Sequence, residues 1–123
     1  MPTANQAKST IETFLASYKV KDVATRIALF SDDIVFEDPI GTPPLVGKAA
    51  MNDYFVATVA SGWDIDLVPQ KIFVNGNEAA SITQVTAGVG GAPPHTSTIV
   101  QQFVFDKAGK FKALRVFMDL PPA

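Results

Sequence analysis

A chain of 123 residues that is 47% hydrophobic and carries nine Phe holds enough apolar surface for one packed core, so a single domain over 1–123 is expected. A net charge of −2, with the ten Lys and Arg scattered, excludes the basic footprint of a nucleic-acid or anionic-membrane binder and points to a small neutral or weakly polar ligand. The absence of cysteine excludes disulfides and thiolate metal sites.

Thr3 followed by Gln6 reads as a capping box, and Ala7, Ile11, Phe14, Leu15 and Tyr18 then recur at helical spacing through about Val20. Asp22 caps a short second helix carrying Val23, Ile27 and Phe30, closed by a Ser31-Asp32-Asp33 turn. A short strand follows, ending at Asp38. Gly41-Thr42-Pro43-Pro44 is a loop, after which Ala50, Tyr54, Phe55 and Thr58 mark a third helix that ends near Ser61-Gly62.

From Trp63 the period changes to two: Trp63, Ile65 and Leu67 alternate with Asp64, Asp66 and Val68, and Pro69 marks a bulge or an edge. Asn75-Gly76-Asn77 and Asp106-Lys107-Ala108-Gly109 are hairpin signals, with a Gly/Pro-rich loop over 88–94 between them. The intervening strands span about 78–87, 95–105 and 110–120, and Pro121-Pro122-Ala123 forms a short tail. Three helices followed by an antiparallel meander predict an α+β layer structure, with helices on one face of a curved sheet. The opening Met1-Pro2-Thr3-Ala4 lacks the pattern of a signal peptide, and no apolar run approaches the roughly 20 residues of a membrane span, so a cytoplasmic protein is expected.

The segment from Leu29 to Gly41 is the most informative. In a regular strand Ile34, Phe36 and Asp38 share one face, which sets the Asp38 carboxylate among apolar neighbours. Pro39 ends the strand, because it restricts Asp38 to the extended region and lacks a donor of its own. Asp38 at this rim is the candidate catalytic base, set against the simpler reading of a turn residue that caps local amides. Glu37 should face the other way. Gln101 shares its strand face with Ile99, Phe103 and Phe105, so its amide needs a partner in apolar surroundings.

These residues also carry a resemblance. Ala28-Leu29-Phe30 with Asp32-Asp33, the run Glu37-Asp38-Pro39-Ile40-Gly41, Gly47 with its helix, Asn77-Glu78-Ala79-Ala80 and the closing Gly109-Lys110 hairpin with Arg115 resemble the ketosteroid isomerases of the NTF2-like (SnoaL-like) superfamily. The resemblance spans almost the whole chain. It implies a cone-shaped fold with an open apolar cavity, a homodimer, and proton transfer by Asp38 next to a substrate carbonyl, with no metal or organic cofactor.

The chain departs from that family at the two groups that hydrogen-bond the substrate oxygen. The first-helix tyrosine position falls on Phe14, and the second carboxylic acid falls on Gln101. Tyr18 lies one helical turn after Phe14 on the same face and is the candidate replacement donor. The candidate site is therefore Asp38, Gln101 and Tyr18, with Phe14, Phe30, Tyr54, Phe55, Phe103 and Met118 against a hydrophobic ligand bearing a carbonyl or hydroxyl. Each of these aromatic residues is also ordinary core material.

The leading function is a steroid delta-isomerase-like enzyme with an altered oxygen-binding end. A non-catalytic binder of hydrophobic metabolites is the alternative, and an association module pairing through the later strands is a third. His95, the one histidine, follows Pro93-Pro94 and is expected to be exposed, while Arg115 and Asp119 form a polar pair on the last strand.

Overall fold

A computed structural model of the protein describes residues 1–119. The expected tail and Leu120, the last residue of the expected final strand, lie outside them. Helix α1 (Ala4–Lys19) starts as the sequence dictates: the Thr3 hydroxyl accepts from the Gln6 amide at 3.2 Å, and the Thr3 amide donates back to Gln6 Oε1 at 2.9 Å. Its buried face is Ala7, Ile11, Phe14, Leu15 and Ser17. Helix α2 (Val23–Ile27) is capped by Asp22, which accepts from the Thr25 amide. Strands β1 (Phe30–Glu37) and β2 (Leu45–Val46) separate it from α3 (Lys48–Ala60).

Four longer strands complete the chain: β3 (Trp63–Asn75), β4 (Glu78–Val89), β5 (His95–Phe105) and β6 (Phe111–Met118). They join β1 and β2 in one six-stranded sheet of order β2-β1-β6-β5-β4-β3. The expected Pro69 irregularity is present, as the β3–β4 register slips between Pro69 and Lys71.

Three expectations need correction. The second helix stops at Ile27 instead of running to Phe30, and Ser31-Asp32-Asp33 is strand, not turn. Pairing with β6 on either side carries the strand through these turn-forming side chains: Phe30 lies opposite Phe111, whose amide donates to Leu29 O at 2.9 Å, and the ladder resumes at Val35 after a register slip that spans them. The Ser31 hydroxyl spends its hydrogen bond within the strand, on Asp33 Oδ1 at 2.9 Å. The sheet is also mixed, because β1 runs parallel to β6 while the other pairs are antiparallel. The short strand β2 was not expected, and β6 is described as ending at Met118.

The inner face of the sheet divides along its strands into a filled half and an open half. In the filled half Phe103 and Phe105 of β5 meet Phe111 of β6 at ring separations of 5.0 and 5.2 Å, and Phe14 of α1 packs edge-on against Phe103 and Phe111. Phe14, Phe103 and Phe111 are wholly buried. The open half, from Trp63 to Leu67 on β3 and from His95 to Gln101 on β5, borders a cavity instead. Among the described residues, no helix is long and apolar enough to cross a membrane.

Candidate active site

The cavity holds about 430 Å³, inside the roughly 300–1,000 Å³ range of small-molecule sites. Phe14 and Tyr18 of α1, Tyr54, Phe55 and Thr58 of α3, and Trp63, Ile65 and Leu67 of β3 form one side of its wall. Val85 and Ala87 of β4, Ile99 and Gln101 of β5, and Leu114, Val116 and Met118 of β6 form the other. The lining is largely apolar, and its polar groups are therefore informative.

Asp38 reaches the cavity because of strand alternation. Ile34 and Phe36 point inward and are buried, so the next inward position is Asp38, one residue beyond the end of β1. The backbone is pinned on the far side of Pro39 by Ile40, whose amide donates to Val116 O of β6 at 2.8 Å. The Asp38–Pro39 peptide bond is cis. Among the described residues, Asp38 Oδ1 is the one buried side-chain oxygen or nitrogen with no hydrogen-bond partner. Burial pushes this carboxyl above the usual carboxylate range, since the charged form has lost water without gaining a donor.

Two phenols share the cavity with it. The Tyr18 ring is held edge-on by Phe14 at 5.4 Å and Phe55 at 6.0 Å. Burial raises its phenol, and the nearby Asp38 and Tyr54 add to the rise, while the Arg26 charge opposes it. Tyr54 packs on Phe36 and Phe55 and is 41% exposed, at the cavity edge. Its phenol is also raised, first by burial and then by Asp38.

Gln101 is 3% exposed and oriented by its neighbours. Its Oε1 accepts from the hydroxyls of Ser81 and Thr83, each at 2.9 Å, and both hydroxyls are wholly buried. With the oxygen so occupied, the amide NH2 is the group left to offer a ligand. This network was not foreseen; its signal is Ser81 and Thr83 on the inward face of β4, with Ser81 directly opposite Gln101.

Of the residues expected against a ligand, Asp38, Tyr18, Gln101, Phe14, Tyr54, Phe55 and Met118 line the cavity. Phe30 and Phe103 do not: they lie in the filled half, packed tilted and edge-on around Phe14 at 5.8 and 6.0 Å. Trp63 and Val85 were not foreseen as lining residues. His95 is exposed as expected and sits among the cavity residues at the start of β5. Arg115 pairs with Glu37 at 3.2 Å and not with Asp119, because the β1–β6 register sets Glu37 directly opposite it. Among the described residues, no three His, Cys, Asp or Glu gather as a metal site.

Comparison with known proteins agrees with this architecture. Residues 11–114 match the family model of the SnoaL-like domain. Two solved structures superpose closely. One is SalBIII, an epoxide hydrolase/cyclase-like enzyme of pyran ring formation in the polyether salinomycin, with 21% identity, TM-score 0.86, and coverage of 98% of this chain and 95% of that one. The other is an LEH-like epoxide hydrolase of M. tuberculosis, with 18% identity, TM-score 0.85, and coverage of 96% and 86%. At such identities the likeness concerns the fold. With the family model spanning most of its length, the chain belongs to the SnoaL-like domain family of the NTF2-like superfamily.

Proposed function

We propose that this protein is a ketosteroid-isomerase-like proton-transfer enzyme acting on a hydrophobic, carbonyl-bearing substrate. The observation that carries the reading is the unpartnered Asp38 carboxyl oxygen at the wall of an apolar cavity. A carboxylate with one oxygen buried away from any donor, and made more basic by burial, is suited to take a weakly acidic proton.

In the proposed step Asp38 removes the proton α to the carbonyl, and the C–H electron pair moves into a new C=C bond while the carbonyl oxygen becomes an enolate. Tyr18 and the Gln101 amide donate to that oxygen, replacing the donor pair of the resembled family. Asp38 then returns the same proton to the γ-carbon. The double bond has moved into conjugation, and the carboxylate is regenerated without a cofactor. One donor of this kind is worth roughly a hundredfold in rate, so the substituted pair sets how good a catalyst results.

The test is conversion of a 3-oxo-Δ5-steroid to its conjugated Δ4 isomer, followed by ultraviolet absorbance, in the native chain and in Asp38→Asn. Activity that disappears in Asp38→Asn supports the reading. Equal activity in both removes Asp38 as the base. No turnover, together with tight steroid binding followed by quenching of Trp63, which lines the cavity, favours the non-catalytic binder in which Asp38 and Gln101 only orient a ligand.

A second reading is favoured by the two superposable enzymes, named for epoxide hydrolase or cyclase-like activity. Tyr18 and Tyr54 beside Asp38 offer phenolic donors to an epoxide oxygen while Asp38 draws a proton from the attacking hydroxyl or water. Turnover of an apolar epoxide, lost in Asp38→Asn, separates this reading from the first.

A further inference from the structure

Arg26 is 2% exposed, yet none of the ion pairs among the described residues includes it. Asp22, the acid on the same short helix, uses both carboxylate oxygens on Thr25. The guanidinium donates through Nε to Ser17 Oγ at 3.0 Å and through an Nη to Ser17 O at 3.2 Å. Its remaining faces lie on two aromatic rings, with its Cζ 3.7 Å from the Tyr18 centroid and 4.4 Å from that of Phe55. Both rings line the cavity and Arg26 does not.

A buried guanidinium with no carboxylate in contact is an expensive arrangement. The aromatic faces offset part of the cost through cation–π attraction, which is strongest when desolvated. Asp22 favours the charge without an ion-pair contact, so among the described residues no carboxylate meets the guanidinium directly, and the cavity side of Tyr18 is a further place where compensating negative charge can form. The charged and titratable groups facing the Tyr18 phenol are Arg26 from α2, Tyr54 from α3 and Asp38 from the end of β1. Of these, Arg26 alone favours negative charge there.

We propose that Arg26 is a positioning residue that acts through Tyr18: stacked behind that ring, its fixed charge makes the cavity a preferential host for a ligand oxygen bearing negative charge, an enolate or a phenolate. This rests on the proton-transfer reading for the origin of the enolate, but not for its own test. While Asp38 is ionised its charge opposes an oxyanion; once it has accepted a proton, the Arg26 charge stands alone. The preference is therefore switched on by the proton-abstraction step itself.

The test uses the full chain in an Asp38→Asn background, which mimics the protonated base. Dissociation constants of 4-nitrophenolate and of neutral nitrobenzene are compared by quenching of Trp63. Arg26→Gln, which keeps amide donors for Ser17 but removes the charge, is expected to weaken the anion relative to the neutral ligand by roughly tenfold, while Arg26→Lys keeps the preference. Adding Tyr18→Phe is expected to shrink the effect of Arg26→Gln, since the charge acts through the phenol. Equal losses for both ligands, or identical behaviour of the Gln and Lys variants, mean that Arg26 is a structural staple only and overturn the proposal. Failure of the Asp38→Asn protein to bind 4-nitrophenolate overturns it as well.

If Arg26→Gln does not fold, the absorbance of the ionised phenol decides. Nitrophenol that ionises at lower pH when bound to the Asp38→Asn protein than when free supports the proposal, and an unchanged or higher value overturns it. No readout requires turnover, so a chain that isomerises nothing still tests Arg26, and an active isomerase does not by itself support it.

Discussion

Arg115 of β6 donates through Nε to Glu37 Oε1 at 3.2 Å, directly across the parallel β1–β6 pair, so the residue before Asp38 is held outward while Asp38 is turned in. This pair is partly exposed and worth less than about 1 kcal/mol in stability. Its expected importance is geometric. Arg115→Met should lower the melting temperature by only a few degrees, yet reduce kcat by several-fold with KM little changed, as measured by steroid isomerisation and thermal denaturation. A loss in KM alone would show that the pair does not orient Asp38.

Asp38→Asn should make the protein inactive and more stable. The folded-state pKa of Asp38 is raised above its unfolded value by desolvation, so burying the ionised carboxyl disfavours folding once pH exceeds the ordinary carboxylate range. The Asn variant should therefore gain on the order of 1 kcal/mol at neutral pH, with the gain fading as pH falls below that range and both side chains become neutral. Chemical denaturation at neutral and acid pH checks the sign. The same shift requires activity to rise with pH through a point above the usual carboxylate value, since the base works only when ionised.

Tyr18→Phe should cost about a hundredfold in kcat if its phenol carries the substrate oxygen. The hydroxyl faces a cavity and not a filled core, so stability should change by less than about 1 kcal/mol. Tyr54→Phe, at the cavity edge, should cost less in rate. Equal effects of the two substitutions on a pH–rate profile would remove Tyr18 from its assigned role.

The Gln101 amide is aimed by two hydroxyls, which predicts a result for a change that never touches ligand. Ser81→Ala with Thr83→Val removes both donors to Oε1 and frees the amide to rotate. Affinity for a ketone ligand should fall by about tenfold, the worth of one ordinary hydrogen bond. Affinity for the corresponding hydrocarbon should stay the same. Calorimetry on the two ligands separates these outcomes.

Much of this was legible from local signals. The α1 capping box, the period of two from Trp63, the hairpin turns and the inward alternation to Asp38 each depend on residues close in sequence. The pairing of β1 with β6 was not, because nothing near Ser31-Asp32-Asp33 announces a parallel partner some eighty residues away, and turn propensity points the other way. Phe30 and Phe103 could not be separated from Phe14 and Phe55 by pattern, since a filled core and a cavity wall are apolar alike. Arg26 did leave a trace: it occupies the same helical stripe as Val23 and Ile27, where a surface arginine does not belong.

The placement of β6 between β1 and β5 also determines when the cavity can exist. Asp38 follows a strand that pairs early with β2 but whose parallel partner is synthesised roughly eighty residues later, and Leu114, Val116 and Met118 of that partner supply part of the cavity wall. Such long-range closure is slow relative to local helix and hairpin formation. A nascent chain can therefore form α1 and the β3–β4–β5 hairpins while still lacking the β6 side of the cavity wall, so closure of the cavity waits on the docking of β6.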